Sequence, residues 1–267
     1  MKKLFRNRQI NSALILLIFI GVQLAVIPVG IIMGFTTPEL SPEELITAII
    51  PYQFIAFLIG TILVIIIGGL HQNKNAIERG PQTDIPVTLV WIVGGVILAY
   101  ASQVIAGMIN VYIFGNPLES QNTNEIIEMI ESMPLMILVV VILGPIIEEY
   151  VFRRAIFSEV YTLFPMKNKW YKILGFLVAG LVSGLIFAVA HFDFTHIIIY
   201  LAMSYAFSFL YVMTGRLLVP VIIHIIMNGL VVGLQILLGD RIEELQQYEE
   251  TLGIICLLYT SDAADDS

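Results

Sequence analysis

Apolar positions in this chain fall into long unbroken runs, not into the alternating or striped patterns of a water-soluble fold. The runs lie at about 12–35, 46–70, 86–114, 135–152 with a more polar continuation to 163, 173–191, 196–213 and 218–238. Each is near the roughly 20 residues a helix needs to cross hydrocarbon. The pattern predicts an all-α fold, a polytopic membrane helix bundle of about seven to eight transmembrane helices. The first run is too long for a signal-peptide core and no small-x-small cleavage site follows it, so it reads as a retained span. Between the runs, Glu119, Glu125, Glu128 and Glu131 alternate with Ile126, Ile127, Met129 and Ile130 at helical spacing. That periodicity predicts an amphipathic surface helix within 116–134, and the Glu- and Gln-rich stretch 240–252 reads the same way.

Composition agrees with a lipid environment: 58% of residues are hydrophobic and 13% charged, with a mean hydropathy of +0.91. The expected partner is therefore the membrane lipid bilayer. A formal charge of -8 without a basic stripe excludes nucleic acid. Cys256 has no partner in the chain, so the fold depends on no disulfide. Cations gather in alternate connections: Lys2, Lys3, Arg6 and Arg8, then Lys74 and Arg79, then Arg153, Arg154, Lys167, Lys169 and Lys172, then Arg216. The connections between them carry none until Arg241. This alternation predicts a cytoplasmic N-terminus in a bacterial cytoplasmic membrane. Residues 256–267 read as the translation of a sequencing adapter and stand outside the fold reasoning, which leaves room for an eighth span in the natural protein.

Within the fourth run stands Glu148-Glu149-Tyr150-Val151-Phe152-Arg153. An ionised side chain at mid-bilayer costs about 3 kcal/mol on insertion scales, so such a cluster marks a functional site. Glu149 and Arg153 are four apart and can pair, which leaves Glu148 about 100° round the axis and available for chemistry. Gly144-Pro145 interrupts the backbone ladder just ahead of it. Further on, Phe187 precedes His191 by four, on a helix that also carries Gly175, Ala179, Gly180, Ser183 and Gly184. Small residues at this spacing admit a close neighbour, and the expected neighbour is the glutamate helix. In the last run His224 and Asn228 share a face, and Pro220 lies four residues before them. His71 and His196 read as structural. His-Glu-x-x-His, a phosphate-binding glycine loop and Gly-x-Ser-x-Gly are all absent.

The set Glu148-Glu149-x-x-x-Arg153, Phe187-x-x-x-His191 and His224-x-x-x-Asn228, in this order on three apolar helices, resembles the CAAX protease and bacteriocin-processing family of intramembrane endopeptidases. That family includes the type II CAAX prenyl endopeptidases and the lysostaphin-resistance-like bacterial proteins. The resemblance covers 85–240, which divides the chain into a two-span region at 1–84, the protease-like domain, a polar segment at 241–255 and the tail. It implies hydrolysis of a peptide bond in a membrane-associated peptide or lipidated protein. Glu148 would be the general base that activates water and His191 would position that water. His224 and Asn228 would stabilise the oxyanion, with Glu149 and Arg153 supporting them. Members have also been described as metalloproteases, and Glu148, His191 and His224 would be the zinc set. Metal-free and metal-dependent mechanisms both remain open at this point. The competing functional classes are a proton-coupled transporter and a non-catalytic binding or immunity protein. Counting along the helices raises one conflict. His224 falls about 13 Å past the turn at Arg216, whereas His191 falls at the opposite face. The two meet only if the sixth run is no simple crossing, the helices are tilted or broken, or one role belongs elsewhere.

Overall fold

The computed structural model describes residues 8–69, 74–117, 120–165 and 167–238. His71, Glu119, the segment 240–252 and the tail 256–267 lie outside the described residues. Among the described residues there are helices, turns and irregular segments but no strand. The chain divides into two compact units, 1–228 and 229–267. All the candidate site residues belong to the first, and the described part of the second, 229–238, is helical.

The first apolar run forms α1 (Arg8–Leu24) and α2 (Val26–Thr36). The ladder breaks between them because Pro28 has no N–H to give to Leu24. Helix α3 (Pro42–Gly69) opens on a reciprocal cap, in which the Glu44 N–H donates to Ser41 Oγ and the Ser41 N–H to Glu44 Oε2. Helix α4 (Ile85–Tyr112) is capped by Asp84, and the amphipathic α5 (Gln121–Ser132) by Ser120. A helical stretch α6 (136–161) follows, then α7 (Lys169–Ala190), α8 (Ile197–Thr214) and α9 (Leu218–Leu238). Six helices among the described residues, counting α1 and α2 together, are long and apolar enough to cross a membrane. The remaining predicted run, the fourth, is α6, whose helix is broken into alternating α and π segments. Large apolar side chains such as Leu17, Ile59, Val90, Ile97 and Leu177 face outward, as lipid contact requires.

Polar contacts sort the connections between two ends of the bundle. At one end Arg8 pairs with Glu159, Arg154 with Glu78, and the Arg216 guanidinium donates to the Thr83 carbonyl. At the other, Asn116 donates to the Thr195 carbonyl and Ser120 to Asp193. The two sets alternate along the chain as the distribution of cations predicted.

Gly175 on α7 packs on Phe164, just past the glutamate helix, but the other two glycines serve a different neighbour from the one expected. A Cβ on Gly180 would strike the Tyr205 ring, and one on Gly184 would sit 2.8 Å from Leu201 Cδ2, so these glycines admit α8. Contact with the glutamate helix comes instead from Ser183, which donates to the Phe152 carbonyl at 2.8 Å, and from the edge-to-face pair Phe152–Phe187. The small residues form a band wide enough to touch two helices, and spacing alone does not say which helix takes which side.

Candidate active site

Helix α6 is wound differently around the charged cluster. A π segment, Val139–Leu143, precedes a short α turn, Gly144–Glu148, and a second π segment runs Glu149–Phe157. The first has a local cause. The Gly144 N–H reaches back to Val139 O, and Pro145 has no N–H, so the Val140 carbonyl loses both of its possible donors within the helix. The Asn228 amide fills that vacancy, donating from Nδ2 to Val140 O at 2.9 Å. One of its two N–H groups is thereby spent on holding α9 to α6, and one remains.

Glu149 and Arg153 form the expected pair, with Oε2 and Nε 3.1 Å apart and both side chains fully buried. The Arg153 guanidinium lies between the rings of Phe187 and Phe207, its carbon 5.0 Å from each centroid. The aromatic faces supply the negative charge that the rest of the guanidinium needs out of water. The other Glu149 oxygen accepts from His224 Nδ1 at 3.0 Å. A carboxylate on one ring nitrogen orients the ring and leaves the other nitrogen for chemistry. That second nitrogen, Nε2, faces Glu148 Oε2 at 3.6 Å. Both glutamates therefore converge on one imidazole, although they are adjacent in sequence.

Exposure separates the two acids. The Glu149 side chain is 0% accessible and the Glu148 side chain 19%. Among the described residues Glu148 has no hydrogen-bond partner, so its carboxylate is the one a water or a peptide can reach.

His191 caps the end of α7, half-buried, with Nδ1 2.8 Å from the Phe187 carbonyl. A carbonyl only accepts, so Nδ1 carries the hydrogen and the neutral ring keeps its lone pair on Nε2. Phe187 also reaches the other histidine: its centroid is 4.5 Å from His191 and 6.3 Å from His224. The conflict over these two residues is thus resolved without breaking α8. Both lie against one phenylalanine ring.

His196 is structural, as expected. It is buried, with Nδ1 2.8 Å from Asp193 Oδ1 and Nε2 3.1 Å from the Pro117 carbonyl, and so ties two connections together. Burial raises the pKa of Asp193, but hydrogen bonds from Ser120, His196 and Thr195, with the His196 charge, outweigh it and hold the carboxyl below its ordinary value.

Among the described residues, no three His, Cys, Asp or Glu side chains are grouped to hold a metal ion. Glu148 and His224 approach to 3.6 Å, and His191 is not grouped with them. Sequence reasoning missed two contributors, Phe207 over Arg153 and Tyr200 against His191. Both are aromatic residues on an apolar helix, and nothing in their spacing sets them apart from lipid-facing neighbours.

Comparison with known proteins gives a consistent assignment. The family described as "Type II CAAX prenyl endopeptidase Rce1-like" matches residues 130–230, which contain every residue of the site. The chain is 35% identical over 213 residues to the Bacillus subtilis (strain 168) protein named "Putative membrane peptidase YdiL", covering 80% of this chain and 83% of that one. It is also 35% identical over 218 residues to the "Membrane-embedded CAAX protease MroQ" of Staphylococcus aureus (strain USA300), covering 82% and 87%. No solved structure matches significantly. An integral membrane bundle with buried acids and histidines, related at this level to membrane peptidases along four-fifths of its length, this chain belongs to the Rce1-like CAAX protease family.

Proposed function

We propose that the protein is an intramembrane endopeptidase that hydrolyses a peptide bond of a membrane-associated or lipidated peptide by attack of a water activated by Glu148. The observation that carries this reading is the convergence of Glu148 and Glu149 on the two nitrogens of His224, with only Glu148 accessible. Glu148 takes a proton from water as the oxygen attacks the carbonyl carbon. The Nε2 of His191 accepts a hydrogen bond from the same water and fixes its direction. As the tetrahedral intermediate forms, the unspent Asn228 N–H donates to the oxyanion, and His224 donates from Nε2, the nitrogen not engaged with Glu149, in the form that carries hydrogen on both nitrogens. The buried Arg153–Glu149 pair holds His224 in place and does not touch the substrate. Glu148 then returns its proton to the leaving amine.

The reading is tested by comparing membrane peptides from bacteria that express the wild type with those from bacteria expressing Glu148→Gln at equal level. Peptide termini present only with the wild type are the expected result and would identify the cleaved bond. Identical profiles would overturn it. Against the substrate so found, Asn228→Ala is expected to lower turnover by about 100-fold, the usual loss of one oxyanion donor. Wild-type turnover in that variant would remove Asn228 from the assignment. We further propose that the N-terminus is cytoplasmic, since the end of the bundle that carries Arg8, Arg154 and Arg216 has the excess of cations.

A further inference from the structure

Beyond the site residues themselves, the connection that follows His191 makes an unusual turn. Phe192 has φ 53°, a left-handed conformation that a bulky side chain adopts only under constraint. The chain then reverses through the short 3-10 turn Phe194–His196 and enters α8. The reversal carries Tyr200, one turn into α8, back over His191: the two rings are 4.6 Å apart, inclined at 31°. His191 also meets Phe187, at 4.5 Å and 66°. The imidazole is therefore packed against two rings that also touch each other, while Nδ1 is bonded to the Phe187 carbonyl.

Tyr200 is itself fixed. It is 8% exposed and packs edge-on against Phe187 at 5.9 Å. Its hydroxyl lies 3.5 Å from Asp193 Oδ2, at the limit of a hydrogen bond. Asp193 is in turn held by Ser120 at 2.7 Å, Thr195 at 2.9 Å and His196 at 2.8 Å. Through Ser120, which caps α5, this anchor joins the rim of the site to the amphipathic helix.

We infer that Tyr200 is a positioning residue for His191, holding the imidazole in the single ring orientation and tautomer that presents a lone pair on Nε2. A half-buried histidine at a helix end, with one backbone bond and no ring over it, rotates about χ1 and χ2 and exchanges tautomers. Tyr200 removes that freedom. The inference rests on the proposed hydrolysis only for the use made of His191, and not for the lock itself.

The experiment uses the full chain in lipid nanodiscs with 15N-labelled histidine, the His191 signals being assigned by their loss in His191→Gln. The wild type is expected to show two well-separated ring-nitrogen shifts, as one fixed tautomer gives. In Tyr200→Leu the two shifts are expected to move together, and turnover of the Glu148-dependent peptide to fall by about 10- to 100-fold in kcat with KM little changed. Tyr200→Phe keeps the ring and loses only the long bond to Asp193, so the locked pattern is expected to persist with turnover within about twofold. A role confined to packing would lower the unfolding temperature of Tyr200→Leu and leave the shifts separated, which would overturn the inference. Averaged shifts in the wild type would overturn it as well. A locked, Tyr200-dependent ring in a protein that yields no Glu148-dependent product would support the positioning and refute the hydrolytic reading instead.

Discussion

Glu148→Gln is expected to lower turnover by about 1,000-fold while the protein unfolds at the wild-type temperature. The two halves of this expectation have separate grounds. The change removes the only accessible carboxylate of the cluster, so no group of adequate basicity remains to take the proton from water. It leaves packing intact because glutamine has the same volume, and the one close polar neighbour is His224 Nε2 at 3.6 Å, beyond hydrogen-bond length. Single-turnover measurements on the cleaved peptide, paired with thermal unfolding in detergent, check both. Wild-type turnover would remove Glu148 as the base. A large fall in unfolding temperature would show instead that its charge is structural.

The second large effect is on stability. Arg153→Leu leaves Glu149 buried without its counter-charge, and breaking a fully buried pair from one side costs about 3–5 kcal/mol. Glu149→Leu does the same to Arg153 and also frees His224 Nδ1. Replacing both with leucine removes the uncompensated charge, and most of the lost stability is expected to return, since a well-packed apolar pair often matches a buried ionic one. Turnover stays low in all three, because His224 has lost its orienting carboxylate or that carboxylate's own support. Chemical denaturation of the four proteins in one detergent measures this directly. Equal losses in the single and double variants would mean that packing around Phe187 and Phe207, and not charge, holds the centre together.

Much of this was legible in the sequence, for identifiable reasons. Runs of about 20 apolar residues located the spans, because in lipid only a helix satisfies its own backbone. The Glu149–Arg153 pair followed from a separation of four, and the alternation of ends followed from where the cations stand. The orientation of each helix about its own axis was less legible. Gly180 and Gly184 marked a close approach but not its partner, which proved to be α8. Adjacent glutamates on an ideal helix point about 100° apart, and their meeting on His224 belongs to a stretch in which the winding changes. Pro145 announced that change, yet the consequence, an orphaned Val140 carbonyl for Asn228 to satisfy, depends on a helix more than 80 residues later. Tyr200 reaches His191 through the backbone reversal at Phe192, and no local pattern records it.

The burial of Arg153 between Phe187 and Phe207 bears on how the chain is made. Helix α6 is synthesised before either aromatic residue, and before His224 or Asn228. Until they arrive the Glu149–Arg153 pair lacks the rings and the imidazole that enclose it, and the Val140 carbonyl lacks its donor, in a medium that satisfies neither. The segment that bears Glu148 is therefore the one least able to settle in the bilayer alone. Its polar groups gain their partners only when α7, α8 and α9 close over it, so biogenesis and completion of the candidate site are the same event.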